Sequence, residues 1–551
     1  MQRDLQRLAS DSFDVLVVGG GIHGLATAWD AALRGLSVAL VEKSDFGSET
    51  SANSLKTIHG GLRYLQHLDV RRMHESIRER SAWMRLMPHL VKPLPFLVPT
   101  YGYGMKSKGV MATAVRVNDW ISRYRNEGLE EVGLEIPNCR VLNRSECLDL
   151  APWLKAPSLT GGVQFFDGQL FSADRATMAF AHAASERDAL LVNHVEVVRL
   201  LRDGSRCTGA VVTDQHSGEE ITVSARVVVN AAGPWNSLVH RLLEPAQPRP
   251  TVRLSKGIQL VMRGFTPESA VAVTSTYEDP DAVVSRGGRH YFLAPWRGTT
   301  LCGTTDELFE GDPDDFDITK ADADGFFEEL KQALPDAGLV RDAVLYTFGG
   351  LRPLEEKNVH TGSQTARHSR VIDHRSTTGV EGLVELVGVK YTTARLVAER
   401  AVDVVSDMLG SGSVACETSH TPLWGGATGP IRAFLDRTAA GLSDRLGPDG
   451  ARNLAQSYGT GSEKLRPLLL EDDATLGLPG REEVVQAQVR FAVREESAIH
   501  LDDVIRRIDL GAFGDPGDPA IDVCLDVLRD ECDWNDTRCE AERKRLPVFV
   551  R

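Results

Sequence analysis

The chain has no stretch of about 18 uncharged apolar residues, so no transmembrane helix is expected. Its opening, Met1 to Ser12, is polar and charged and runs straight into a strand pattern, which does not read as a secretory leader. The eight cysteines stand singly, with no Cys-x-x-Cys pair. That excludes a disulfide framework and reads as free thiols in a reducing cytoplasm. Cys532 and Cys539 are the nearest pair, and no histidine cluster stands beside them, so no metal site is expected. Internal repeats and low-complexity segments are lacking, which excludes a solenoid. Excess positive charge is lacking too. The net charge of −15 argues against a general nucleic-acid or polyanion binder, while leaving room for a local basic site. What remains is the 42% apolar content of a soluble globular protein, and 551 residues are enough for two or three domains.

The stretch Asp14 to Glu42 carries the strongest signal. Asp-Val-Leu-Val-Val runs into Gly-Gly-Gly-Ile-His-Gly, a helical pattern follows to Arg34, and an apolar run ends at Glu42. This reads as strand, tight turn, helix, strand and terminal acid. Gly19, Gly21 and Gly24 fit G-x-G-x-x-G, with roles in the turn, in close approach to a pyrophosphate and in helix–strand packing. The helix N-terminus offers free N–H groups to that pyrophosphate. Glu42 is placed for a ribose diol. A structural glycine turn is the bland alternative.

Further along, Ser44 to Ser54 reads as a loop, and Pro88 to Pro99, with four prolines, ends a helix spanning about 70–87. From Tyr101 to Pro152 the pattern is irregular. Phe165-Phe166-Asp167-Gly168 reads as a turn, and Ser172 as the N-cap of a helix over 175–186. Leu190 to Leu200 reads as a β-branched strand. Ala225 to Asn230 is a buried strand ending in a small-residue turn, Ala231 to Trp235, where backbone can approach a cofactor. Short strands between Gly257 and Cys302 predict an antiparallel sheet distinct from the dinucleotide unit. Val344 to Phe348 and Leu383 to Val387 are further strands. Thr392 or Thr393 then caps a helix to Leu409. From Thr421 onward helical segments dominate: 431–446, 482–494, 501–508 and 521–530.

Together these stretches resemble the FAD-dependent glycerol-3-phosphate dehydrogenases, flavoproteins that feed electrons to the quinone pool. The carrying motifs are VVGGGIHGLATAWDAALRGLSVALVEK, IHGGLRYL, NAAGPW, GTTD before EGDP, GGLRPL, VKYTT and VRFAVREESAIHLDDVIRR. The resemblance implies a two-lobed α/β fold: a doubly wound FAD-binding domain of the glutathione-reductase or D-amino-acid-oxidase kind, an antiparallel substrate sheet and a helical C-terminal domain. The expected division is 12–78, 160–250 and 345–410 for FAD, 79–159 and 251–344 for the substrate or cap region, and 411–551 for the helical domain. The cofactor set implied is Gly19, Gly21, Ile22, His23, Gly24, Glu42 and Lys43; Thr50, Ser51, Ser54 and Lys56; His59, Gly60, Gly61 and Leu62; Val195, Ala232, Gly233 and Trp235; and Lys390 with Thr392. The chain departs from the family at Gln259, where His is usual after Lys-Gly-x, at Val389 within Gly-Gly-Lys, at Tyr391 for Leu and at Leu55 for Ser.

The chemistry implied is hydride transfer from a secondary alcohol carbon of sn-glycerol 3-phosphate to FAD, giving dihydroxyacetone phosphate, with quinone as acceptor. A phosphate-bearing substrate needs cations, and Arg63, Arg352 and Lys390 are the candidates, with Tyr64 adding a hydroxyl contact. Surface salt bridges are the alternative for the cations, and a packed aromatic for Tyr64. His59 has the pKa range of a base, and a histidine merely fixed beside the flavin is the alternative. The catalytic set is therefore His59, Arg352 and Lys390. An oxidase, or an enzyme for another phosphorylated polyol or hydroxy acid, is the second reading. A non-catalytic flavin binder is the third, and the three cations speak against it. The implied location is the cytoplasm, peripheral on the inner membrane face, although no long amphipathic basic helix stands out in the sequence. The resemblance also allows a homodimer.

Overall fold

The computed structural model describes all residues except 63, 65–68, 103–106, 130, 155–157, 244–252, 265–267, 279–287, 355–368, 389 and 413. Two large sheets, a two-stranded pair of Gly477–Leu478 with Arg481–Val485 where the sequence suggests the start of a helix, and a set of C-terminal helices are the main parts of the described fold. The first sheet runs in the order Arg370–Asp373, Leu383–Val387, Glu220–Asn230, Ser12–Val18, Val38–Val41, Leu190–Val192. Its central strands are parallel, with Val15 opposite both Val227 and Val38. Such strands are buried on both faces, which is why they read as unbroken apolar runs. Side-chain alternation sorts them. Val15, Val17, Val38 and Leu40 pack under the helices Ile22–Leu33, Ala173–Ser185 and Ala394–Leu409. Leu16, Val18, Ala39 and Val41 pack toward the antiparallel ribbon Val195–Asp203 and Arg206–Asp214.

The second sheet runs Glu307–Phe309, Leu254–Arg263, Thr299–Gly303, Gly288–Trp296, Ala270–Glu278, Val91–Tyr101, Leu159–Leu170, Thr57–Ile58, with Val344–Pro353 paired along Leu254–Arg263. One face carries Ile258, Leu260 and Met262 against Phe326, Phe327 and Leu330 of the helix Lys320–Ala333. The opposite face carries Ser255, Gly257 and Gln259, register partners of Arg352, Gly350 and Phe348. That face turns toward the loop after Glu42. A Cβ on Gly350 would meet Thr50 at 3.1–3.4 Å, and one on Gly303 would meet Leu55 at 3.2 Å.

Several local readings change. Phe165 to Gly168 is no turn but lies inside the strand Leu159–Leu170, because non-local pairing with Val91–Tyr101 overrides the Asp-Gly signal. The helix Val70–Leu86 ends before Pro88, and Pro93, Pro95 and Pro99 sit within the strand Val91–Tyr101 that follows. They share one alternation parity, so their missing N–H groups fall along one edge of the strand. The apolar run from 190 breaks at Asn193-His194, where His194 takes φ +52°, and resumes as the ribbon. The irregular 101–152 stretch contains the helices Lys108–Ile121 and Arg144–Leu150. Strands Leu159–Leu170 and Val344–Pro353, which the expected division counts with the FAD segments, hydrogen-bond into the second sheet.

In the C-terminal region the helix Ile431–Tyr458 kinks at Gly447, φ +68°, just before Pro448. Gln486–Glu496, Leu501–Arg507, Asp518–Cys532 and Asp536–Arg545 follow. Buried ion pairs lock these helices onto the first sheet and its loops. Arg175 and His182 lie 2.9 and 3.0 Å from Glu496. His194 lies 3.0 Å from Asp503, and Arg507 pairs with Asp45. Burial alone would raise the Glu496 carboxyl, but Arg175 and His182 hold it down to about 2.

Candidate functional site

The glycine turn is built by close packing. Gly19 adopts φ +105°, and a Cβ there would lie 2.8 Å from Ala231 O and 2.9 Å from Ala232 Cα. A Cβ on Gly24 would collide with Gly19 O. Gly21 forms the N-cap of the helix Ile22–Leu33, and Ser51 Oγ accepts from Ile22 N at 3.0 Å. Glu42 closes the second strand. Its two oxygens accept from Gly20 N at 2.6 Å and Ser44 N at 2.8 Å. Desolvation pushes this carboxyl above its usual range, with the two N–H groups opposing the shift. Beside it, Lys43 Nζ stands 4.5 Å over the Trp235 ring, and both side chains meet Asp314. Buried Val195 donates its N–H to Glu42 O at 2.8 Å, and Gly233 turns at φ +57°.

A second group forms around the short strand Thr57–Ile58. Gly60 N donates to Asp167 Oδ1 at 2.6 Å, and Arg80 pairs with the same carboxylate. His59 N donates to Thr392 Oγ1 at 3.2 Å. Thr392 therefore ties the His59 loop to the helix start, while Thr393 sits at the N-cap without a side-chain cap bond. Lys390 Nζ lies 4.0 Å over the Tyr64 ring, and His59 meets that ring edge-on at 6.2 Å. Gly61, at φ +79°, has no room for a side chain, since a Cβ would meet Tyr64 at 2.6 Å. Leu62 packs beside Leu94 and Phe165. A Cβ on Gly388 would overlap the His23 ring, whose burial lowers its pKa to about 4 and keeps it neutral. Arg63 and Val389 lie outside the described residues.

The third group stands on the second sheet. Arg352 Nη2 lies 3.3 Å from Asp306 Oδ1 and 3.4 Å from Thr305 O. Gln259 Nε2 donates to Thr304 Oγ1 at 2.9 Å. Thr50 Oγ1 donates to Leu351 O at 2.9 Å, so the loop after Glu42 touches the strand that carries Arg352.

The family described as FAD dependent oxidoreductase matches residues 14–403, and the C-terminal domain of alpha-glycerophosphate oxidase matches 416–539. Glycerol-3-phosphate dehydrogenase of Synechocystis sp. is 32% identical over 567 aligned positions, covering 100% of this chain and 98% of that one. Glycerol-3-phosphate dehydrogenase 2 of Mycobacterium bovis is 32% identical, covering 91% and 81%. The chain belongs to the FAD-dependent glycerol-3-phosphate dehydrogenase family. The solved glycerol-3-phosphate dehydrogenase of Bacillus halodurans, complexed with FAD, superposes with a TM-score of 0.75 at 25% identity, over 98% of this chain and 95% of that one.

The residues of this glycerol-3-phosphate dehydrogenase family member fit FAD. Gly19 and Gly24 leave a bare backbone at the helix N-terminus, Glu42 ends the neighbouring strand, and His23 Nε2 is buried without a partner among the described residues. Lys56 is placed differently from its loop neighbours. It takes φ +59°, donates to Ala52 O, and its Nζ stands 5.0 Å over Phe348 and 5.8 Å over Trp296. Burial lowers its pKa. It lines a cavity shared with Asp174, Arg506 and Phe549, on the side of the loop facing the C-terminal helices. Ser54 Oγ accepts weakly from Lys56 N at 3.4 Å. Sequence reasoning missed Asp167, Arg80, Thr304 and Asp306. Asp167 and Arg80 were hidden because their partners are over 80 residues away or more. Thr304 and Asp306 stand in the GTTD motif, whose sequence alone gives no role to their side chains.

Proposed function

We propose that the chain oxidises sn-glycerol 3-phosphate to dihydroxyacetone phosphate and passes the electrons to a quinone. FAD, when bound, supplies the hydride acceptor. The observation that carries the reading is the pair of cation-bearing groups around the loop after Glu42: Arg352 on the second sheet, and Lys390 with Tyr64 and His59 beside the first. In this reading Arg352, Arg63 and Lys390 hold the phosphate, Arg352 through its planar fork and Lys390 as a point charge. Tyr64 adds a hydroxyl contact. His59 takes the hydroxyl proton, and its position is set through Thr392 and the Gly60–Asp167 bond. The cofactor roles proposed for the remaining residues are pyrophosphate at Gly19, Gly21, Ile22 and Gly24, ribose at Glu42, and flavin contacts from Thr392 and from the Thr50–Leu62 loop, Lys56 excepted because its side chain turns to Phe348 and Trp296. The domain division in this reading is 12–78, 160–250 and 345–410 for FAD, 79–159 and 251–344 for the substrate region and 411–551 for the helical domain, except that the strands Leu159–Leu170 and Val344–Pro353 count with the substrate sheet, to which they are hydrogen-bonded.

Anaerobic bleaching of the flavin by glycerol 3-phosphate, but not by glycerol, tests the reading. No bleaching rejects it. Peroxide formation in air at the rate of substrate oxidation would favour the oxidase reading over the quinone one.

A quinone acceptor requires docking at a bilayer, and no described helix is long and apolar enough to cross one. The helix Lys108–Ile121 supports a peripheral contact. Val110, Val117 and Trp120 fall on one stripe and are 39%, 42% and 68% exposed. Lys108 and Arg116 lie on the same helix, Arg123 stands 5.8 Å from the Trp120 ring, and Asp119 is turned to Arg125 and Cys139 N. An apolar stripe with basic flanks, in a chain of net charge −15, suits an anionic lipid surface. Sedimentation with vesicles containing phosphatidylglycerol, lost in Trp120→Ser, is expected. Light scattering distinguishes self-association through the same stripe.

A further inference from the structure

Gln259 is 5% exposed and lies on the face of the second sheet that carries Arg352. Its amide is held in one orientation by a chain of donors. Thr304 Oγ1 donates to Thr305 O at 3.2 Å, so its hydroxyl hydrogen is committed and its oxygen is free to accept. Gln259 Nε2 donates to that oxygen at 2.9 Å. A flipped amide would set a carbonyl oxygen against a hydroxyl with no hydrogen to give. The Oε1 atom is thereby fixed away from Thr304, and it is buried with no hydrogen-bond partner among the described residues. Leaving such an acceptor unmade costs about 1–3 kcal/mol, so its retention at a site calls for a ligand donor.

The surroundings say which ligand. Arg352 Nε is buried and likewise without a partner among the described residues. Between the two stand Gly257 and Gly350, register partners on the two strands. Their missing side chains keep the floor low: a Cβ on Gly257 would meet Thr304 Oγ1 at 3.0 Å and Arg352 Nη2 at 3.5 Å. A spare guanidinium donor and a spare acceptor-only oxygen, on one face across a glycine floor, match a molecule with an anionic group at one end and a hydroxyl further along.

We infer that Gln259 is the residue that reads the substrate hydroxyl, accepting its hydrogen bond at Oε1 while Arg352 takes the anionic end. This rests on the phosphorylated-polyol reading above. Gln259 positions and selects. An amide does not titrate in the working pH range, so it cannot take the proton, and the base must be another group. Thr304 is its positioning residue, fixing the amide through one hydrogen bond.

The test compares two ligands on the FAD-loaded enzyme: glycerol 3-phosphate, followed by anaerobic flavin reduction, and n-propyl phosphate, which has no hydroxyl and is followed by perturbation of the flavin spectrum. Gln259→Met keeps length and burial but removes the acceptor. It is expected to weaken glycerol 3-phosphate by roughly tenfold or more, the worth of one buried hydrogen bond. Propyl phosphate affinity should stay within about twofold, below the smallest hydrogen-bond effect. Equal losses for both ligands, or no loss for either, overturn the assignment. Should Gln259→Met fail to retain flavin, Thr304→Val asks the same question by freeing the amide to flip, with a smaller loss again confined to the hydroxylated ligand. A wild-type flavin that glycerol 3-phosphate leaves oxidised rejects the substrate reading instead. Normal bleaching with unchanged discrimination in Gln259→Met rejects the Gln259 assignment alone.

Discussion

In the proposed reading the two sheets solve their binding problems in opposite ways. The first presents backbone. Its strand end, glycine turn and helix start are contiguous, and no side chain is needed at Gly19 or Gly24 because none fits. The second presents side chains gathered from distant segments. Gln259 and Thr304 meet across the pairing of Leu254–Arg263 with Thr299–Gly303, and Arg352 arrives from Val344–Pro353. The lesson is that a nucleotide can be recognised by a local string, whereas a small polar substrate is recognised by register. A slip of one residue in any of these pairings would turn Gln259 or Arg352 to the opposite face.

The comparison can be broken first at the backbone site, where the largest effect is expected. Gly24→Ala drives a methyl into Gly19 O, so the protein should lose FAD almost entirely, read as loss of absorbance near the flavin band. Retention of full flavin would show that the turn tolerates repacking. At the side-chain site, Arg352→Ala should keep FAD but lower kcat/KM for the phosphorylated substrate by roughly ten- to a hundredfold, for a charge-assisted bond of about 1.5–3 kcal/mol. Arg352→Lys should recover only part of that, since the fork is lost. A mutant that keeps the preference for phosphorylated over unphosphorylated substrate would remove Arg352 from the phosphate site.

Asp167→Asn sharpens the contrast by leaving every proposed contact residue in place. It takes away the charge that Arg80 meets and weakens the bond from Gly60 N. A fall of about tenfold in kcat with little change in flavin content is expected, on the scale of one such hydrogen bond. An unchanged kcat would mean the His59 loop is held by Thr392 alone. The smallest effect concerns the helical domain. Burial lowers the His194 pKa, but the hydrogen bond and charge of Asp503 outweigh it and leave the pKa raised. A raised histidine pKa stabilises fully below its unfolded value near 6.5 and loses that contribution as pH climbs through the folded value. Thermal stability should therefore decline modestly as pH rises through and above neutrality, and His194→Gln should flatten that decline. A slope identical in the mutant would point to another group.

The sequence by itself determined the dinucleotide unit, because its signal is carried by neighbours: consecutive apolar residues for a doubly buried strand, glycines at fixed spacing, and a strand-ending acid. It also determined the short strands of a second sheet, the helical character beyond Thr421 and the first arm of the long C-terminal helix as far as Leu446, but not its continuation past Gly447 to Tyr458. Only the tertiary structure decided what depends on pairing at long range. Phe165 to Gly168 looks like a turn until Pro93 to Phe96 of the strand Val91–Tyr101 lie beside it. Lys56, three residues from His59, turns instead to Phe348 and Trp296. Gln259 is one residue of Lys-Gly-Ile-Gln in the sequence, but its fixed amide and its buried oxygen, unmet among the described residues, depend on Thr304, which strand pairing brings within 2.9 Å. Local preference is fixed by a few adjacent residues. The direction in which a side chain points, and what it meets there, is fixed by register between strands that are far apart in the chain.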